Sequence, residues 1–174
     1  PMIETPYAMS KYVKATHFVF PEEERQEMEF FINVETYTGA ENLDAMMALP
    51  EFNELAGIVL GRVDMTGSMG LSREDINSET IFKMAETMSA KVHKAGKKMV
   101  IGGGVSAHSL PFFSRLPQGS LTKFETHKKA RKFQPLKPDY LSVPYSSLII
   151  LHKPCSSETS AFQPNDSRAV VSKS

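Results

Sequence analysis

Apolar residues along this chain fall in short runs, each ended by a polar or glycine-rich break. Phe30-Phe31-Ile32-Asn33-Val34 ends at Glu35, Gly57-Ile58-Val59-Leu60-Gly61 runs into Arg62-Val63-Asp64, and Met99-Val100-Ile101 ends in Gly102-Gly103-Gly104. Runs of this length and β-branched content read as strands. Met2-Ile3, entering Glu4-Thr5-Pro6, and Leu121 to Glu125 read as two more. Helices are predicted between them. Ile81, Ala85, Met88, Val92 and Ala95 recur at helical spacing, with Asn77 or Ser78 as cap and Gly96 as stop. Tyr7 to Phe20 predicts a helix whose apolar positions are Tyr7, Met9, Tyr12, Val13 and Phe18, and Pro21-Glu22-Glu23-Glu24 opens a second, acidic turn. Glu41 to Leu49, stopped by Pro50, and Ala107 to Leu116 predict two short helices, whereas Arg62 to Gly70 reads as a Gly/Ser/Thr loop.

The breaks after the strands fall at Glu4, Glu35, Asp64, Gly102 and Glu125, spaced 31, 29, 38 and 23 residues apart. Each interval is close to one βα unit. Alternating βα units predict an α/β fold with a parallel sheet, either doubly wound or a barrel, with its site beyond the carboxyl ends of the strands. The 174 residues are short for a complete (β/α)8 barrel, which takes about 200 or more.

Composition divides the chain at about residue 126. All 10 Gly and all 10 Met precede residue 127, while residues 127–174 hold nine Ser and five of the 11 Pro. Charge divides there too, with a net of −5 over 1–126 and +5 over 127–174. Residues 1–126 are expected to form the βα body. Residues 127–174 are expected to be a weakly structured, irregular tail, with Leu148-Ile149-Ile150-Leu151 a strand at most. The break reads either as a natural Ser/Pro-rich ending or as a non-native one. An acidic body argues against a nucleic-acid partner. No apolar run reaches the roughly 18 residues of a membrane span, and no signal peptide is recognisable. The lone Cys155 excludes an internal disulfide, so a cytoplasmic setting is expected.

Glu35 and Asp64 stand at the ends of neighbouring strands. Parallel strands lie about 4.8 Å apart, so the two carboxylates are expected to converge. Two such acceptors repel unless a proton or a cation resolves them, and hard oxygen ligands suit Mg²⁺ or Mn²⁺. The plain alternative is that each caps the helix that follows it. Gly61 and the loop from Gly67 to Gly70 would let backbone N–H groups approach an anion. Gly102-Gly103-Gly104 reads equally as an anion cradle or a tight strand-to-helix turn. No P-loop or dinucleotide fingerprint is present. His108 reads as a loop histidine, His17 and His93 as helix-surface residues, Cys155 as unreactive, and Met46, Met47, Met84 and Met88 as helix packing.

Ile32-Asn33-Val34-Glu35-Thr36 and Ile58-Val59-Leu60-Gly61-Arg62-Val63-Asp64-Met65-Thr66-Gly67-Ser68-Met69-Gly70 together resemble the HpcH/HpaI aldolase and citrate lyase β-subunit family. There a strand ends in Glu-Thr, and about one βα unit later another ends in Gly-Pro-x-Asp-Leu-Ser-x-x-x-Gly. Pro1-Met2-Ile3-Glu4-Thr5 is similar to the strand before them, and the resemblance runs to about Thr126. It implies the C-terminal part of a barrel, four or five of eight strands, in which Glu35 and Asp64 bind a divalent metal. It places Gly61, Asp64 and Ser68 on the substrate. The chemistry implied is carbon–carbon cleavage of 2-keto acids through a metal-stabilised pyruvate enolate, or lyase action on acyl-CoA thioesters, by a homo-oligomeric parent. Arg62 replaces the usual Pro and is either an extra cation, the candidate catalytic one, or a side chain that merely projects outward. The family's catalytic Arg and His on early strands have no counterpart here, so the chain is expected to be a poor catalyst alone. A non-catalytic module that binds a partner through its open sheet edge is the competing reading.

Overall fold

In the computed structural model, which describes residues 1–127 and 148–151, the apolar runs line up in one parallel sheet. Its strands are β1 (Phe31–Asn33), β2 (Gly57–Gly61), β3 (Lys98–Gly102), β4 (Lys123–His127) and β5 (Leu148–Leu151). They lie side by side in chain order, and every pair is parallel. The first residues extend the sheet beyond β1. Met2 bridges Asn33 in parallel, Ile3 N–H donates to the Asn33 carbonyl at 2.8 Å, and Asn33 N–H donates to the Pro1 carbonyl at 2.8 Å. A doubly wound sheet reverses its strand order at a switch point. This one does not, and sequential parallel order is that of a βα-barrel wall. The described strands therefore form part of a βα barrel. β5 takes the tail's apolar run, and the remaining tail positions and Cys155 lie outside the described residues.

Successive strand residues point to opposite faces of the sheet. Ile32 and Val34, Ile58 and Leu60, and Met99 and Ile101 are fully buried in one cluster with Met9, Val13, Leu43, Met46, Ile81, Ala85, Met88 and Val92 from the helices. The intervening positions face the other way and are Asn33, Gly57, Val59, Gly61, Lys98, Val100 and Gly102. One face is thus an apolar floor for helices, and the other is rich in glycine and polar groups.

Helix α1 (Pro6–Val19) starts where Thr5 accepts the Ala8 N–H at 3.2 Å. It buries Met9, Val13 and Thr16, a stripe at i, i+4 and i+7. Tyr7 and Phe18, expected on that face, lie off the stripe and are 72% and 92% exposed. The acidic turn becomes α2 (Glu22–Gln26). The helix expected over 41–49 is the shorter α4 (Leu43–Met47), and a separate α3 (Tyr37–Glu41) precedes it; they meet at Asn42, whose amide donates to the Glu4 carbonyl at 2.8 Å.

The expected loop after β2 is instead helix α5 (Arg62–Ser68). Thr, Gly and Ser are weak helix formers. Burial of Arg62, Met65 and Thr66 at i, i+3 and i+4 outweighs that preference. Helix α6 (Glu79–Lys94) follows the predicted stripe from Ile81 to Val92, with Ser78 as cap; Ala95 falls at the C-terminal cap and is exposed, and Gly96 at φ +69° follows it. Each fully buried aliphatic side chain there contributes about 1.5–3 kcal/mol. A 3₁₀ turn at Ala107–Ser109 leads into α7 (Leu110–Ser114), which buries Phe112 and Phe113. The Phe113 ring stacks on Phe124 of β4 at 5.5 Å. No helix among the described residues is long and apolar enough to cross a membrane.

Candidate active site

The register of the sheet builds the site. Gly61 of β2 pairs with Gly102 of β3. Asn33 pairs with Val59, and Ile101 pairs with Phe124. Continued to the ends of the strands, the same register sets Glu35 beside Gly61 and Glu125 beside Gly102. A four-strand row results, Glu35, Gly61, Gly102, Glu125, at the carboxyl end of the glycine-rich face. Both glycines are required by their neighbours. A Cβ on Gly61 would lie 2.6 Å from Glu35 Cδ, and one on Gly102 would lie 2.9 Å from Glu125 Oε2. Each glutamate thus lies over the glycine of the adjoining strand.

Asp64, itself exposed, reaches the same place from the first turn of α5. The Glu35 carboxyl lies within hydrogen-bonding reach of the Asp64 carboxyl, and Asn33 Nδ2 donates to Glu35 Oε1. Burial raises the Glu35 pKa from 4.5 to about 7. The bond to Asp64 adds to the rise, Asn33 opposes it, and the charges of Asp64 and Glu125 add further. Two carboxyls can share a hydrogen bond only while one keeps a proton. Burial selects Glu35 as the one that does.

The capping reading of these residues does not survive. Thr36 caps α3 by accepting the Gly39 N–H at 3.1 Å, and α5 has Gly61 at its cap position with no side-chain cap bond. Glu35 and Asp64 are free for other work.

Arg62 is not the catalytic cation expected from its position. Its side chain is fully buried and turns away from the carboxylates, under the loop after β3. Nε donates to the Gly102 carbonyl at 3.2 Å and Nη2 to the Gly103 carbonyl at 3.0 Å and Ser109 Oγ at 3.2 Å. Nη1 donates to Asn77 Oδ1 at 2.6 Å and the Ile76 carbonyl at 3.4 Å. The guanidinium carbon lies 4.9 and 5.0 Å from the Phe112 and Phe113 ring centres. Burial lowers its pKa to about 10, which still leaves it charged near neutral pH. Arg62 is a clamp holding the β3–α7 loop to α5. The triple glycine serves the same contact. A Cβ on Gly103, at φ +78°, would lie 2.7 Å from the Arg62 and Val63 nitrogens. Backbone packs on backbone there, so the turn reading of these glycines holds over the anion cradle.

Ser68, expected on substrate, accepts the Tyr37 N–H at 2.8 Å and donates to the Met65 carbonyl at 2.8 Å, tying the end of α5 to the start of α3. Gly67 lies inside α5, so residues 62–68 are helix where a glycine-rich loop is expected. His108, His17 and His93 are exposed. Glu125, which the sequence reading did not single out as a candidate, lies in the same strand-end row and carries the same signal as Glu35, a glutamate ending an apolar run.

Glu35 and Asp64 are two hard oxygen donors at one point, a set that suits Mg²⁺ or Mn²⁺ with its other positions left to water or substrate. Among the described residues no three His, Cys, Asp or Glu are grouped closely enough to hold a metal ion. No curated protein matches the chain in a sequence comparison. A family model does, that of HpcH/HpaI aldolase/citrate lyase, over residues 1–107. That stretch carries β1, β2, β3 and both paired carboxylates, and the chain belongs to the HpcH/HpaI aldolase/citrate lyase family.

Proposed function

We propose that Glu35 and Asp64 hold a divalent cation, Mg²⁺ or Mn²⁺, and that the site acts on 2-keto acids as a carbon–carbon lyase of the aldolase type. The carrying observation is the pair of carboxyls held in contact at the carboxyl ends of adjacent strands, with the Glu35 pKa raised to about 7. Among the described residues no basic side chain forms an ion pair with either one. An unrelieved carboxylate pair costs stability, and a cation relieves it. A bound divalent cation supplies Lewis-acid polarisation of a keto acid's C2 carbonyl, which favours the enolate. The chain does the rest. Asp64 and ionised Glu35 provide the anionic oxygens. Asn33 orients the Glu35 carboxyl, and Gly61 keeps the space over β2 open for it.

Enolisation of pyruvate is a half-reaction that needs no aldehyde partner. Pyruvate in D₂O with the chain and Mg²⁺ is expected to exchange methyl protons for deuterons faster than with Mg²⁺ alone, as read by proton NMR. Asp64→Asn is expected to remove the excess rate. Exchange no faster than the Mg²⁺ blank, or exchange that Asp64→Asn leaves intact, refutes the proposal.

A further inference from the structure

The end of the sheet opposite the carboxylate row carries a second concave site. A cleft of about 220 Å³ opens there between α1, α2 and the 3₁₀ turn at Pro50–Glu54. Phe30, just before β1, and Leu55, two residues before β2, form its apolar wall with Val13 of α1. Five residues of chain separate Phe30 from Glu35, roughly 16 Å along an extended strand, so the cleft is remote from the site described above. Arg25, Glu22 and Glu54 supply its charge. The Arg25 side chain is only 22% exposed, and its Nε is the one buried side-chain nitrogen or oxygen among the described residues that lacks a hydrogen-bond partner. Its Nη1 lies 3.6 Å from Glu54 Oε2, an ion pair too long for a hydrogen bond. His17 Nε2 meets the same Glu54 oxygen, and among the described residues Glu54 Oε1 has no donor. A guanidinium buried with a donor unmade costs free energy that an acceptor on a ligand recovers.

We infer that this cleft is a second binding site and that it takes an aliphatic α-amino acid. Nε and Nη2 of an arginine form a planar fork that pairs with a carboxylate through two parallel bonds. A bare carboxylate is disfavoured, because one cation, Arg25, against two anions, Glu22 and Glu54, gives the lining a net charge of −1. A ligand with an ammonium beside its carboxylate removes that conflict, and Glu54 Oε1 is the acceptor left for the ammonium. Val13, Phe30 and Leu55 take an aliphatic side chain out of water. The volume sets the size. Pockets for drug-sized ligands run to about 300–1,000 Å³, and this smaller cleft suits a single amino acid.

The test removes one recognised group at a time from leucine, by calorimetric titration of the full chain at neutral pH in EDTA, so that no cation at the strand-end site takes part. Against leucine, 4-methylpentanoate lacks the amino group, 3-methylbutylamine lacks the carboxylate and glycine lacks the side chain. Leucine is expected to bind at millimolar concentration, and each of the three to bind about tenfold more weakly or worse. Arg25→Met, which keeps the apolar stem and removes every donor, is expected to weaken leucine binding about tenfold. Glu54→Gln is expected to bring leucine and 4-methylpentanoate to nearly equal affinity. No leucine binding at millimolar concentration overturns the inference. So does any of the three analogues binding as tightly as leucine, because the group it lacks is then not recognised. Leucine affinity untouched by Arg25→Met, or an advantage over 4-methylpentanoate that Glu54→Gln leaves intact, overturns it too. The ligand comparisons use the unaltered chain alone, so they decide the matter even where a variant fails to fold.

Discussion

Replacing Glu35 by Gln separates the cost of a charge in the site from the presence of the side chain. Gln has nearly the same shape. Its amide oxygen accepts from Asn33 Nδ2 and its amide nitrogen donates to Asp64, so both present contacts have a counterpart. In the unaltered chain burial, and after it Asp64, raise the Glu35 pKa from 4.5 to about 7. Between those values the folded chain binds more protons than the unfolded one, so this group's contribution to stability is complete below 4.5 and is lost as pH rises through about 7. At 1.36 kcal/mol per pKa step the whole rise corresponds to about 3 kcal/mol. The carboxyl is only half-buried, and solvent screening reduces this to about 1–2 kcal/mol. Other carboxylates titrate alike in both proteins and cancel in their difference. Without cation, Glu35→Gln is therefore expected to gain about 1–2 kcal/mol over the unaltered chain between pH 4.5 and pH 8. For a chain of this size each kcal/mol appears as a shift of about 2–4 °C in Tm. Cation reverses the order. At a hundredfold excess over Kd it stabilises the unaltered chain by about 2.7 kcal/mol and leaves the variant unmoved. The assay is thermal unfolding at both pH values, in EDTA and with Mn²⁺. An unchanged difference between the two pH values, or a variant less stable than the parent at pH 8 in EDTA, would falsify the account of Glu35 as a carboxyl held neutral beside Asp64.

Two further substitutions test the parts around that pair. Gly61 has φ −89°, a backbone that Ala adopts readily, so Gly61→Ala acts through its Cβ alone, which would lie 2.6 Å from Glu35 Cδ. It is expected to push Glu35 off Asp64, weaken Mn²⁺ binding about tenfold and cost about 1 kcal/mol of stability; unaltered Mn²⁺ affinity would show that the carboxyl does not depend on the glycine. Arg62→Met removes every donor now held by Asn77, Ser109 and the Ile76, Gly102 and Gly103 carbonyls. It is expected to cost about 3 kcal/mol or more in urea unfolding while folded protein binds Mn²⁺ within about twofold of the unaltered chain; a stable variant that lost only chemistry would restore Arg62 as a catalytic group.

Periodicity along the chain was enough to locate the strands, the α6 stripe and the pairing of Glu35 with Asp64 at neighbouring strand ends. Those features are local or depend only on βα units following one another, and burial in a parallel sheet enforces the same pattern that reveals them. The family was legible for the same reason, since its motif lies at those strand ends. Other assignments depended on neighbours distant in sequence. Whether Arg62 faced the site or the loop was decided by the carbonyls of Gly102 and Gly103, forty residues on, and by two phenylalanines beyond them. The helix over 62–68 formed because Met65 and Thr66 found a core to enter, against the preferences of Thr66, Gly67 and Ser68. Ser68 was claimed by the Tyr37 N–H, a contact no spacing announces. Glu125 reaches the row of Glu35 and Gly61 only through sheet register, which aligns it with Gly102. A sequence specifies which residues end its strands; which of those ends meet across a shared floor is a property of the assembled sheet.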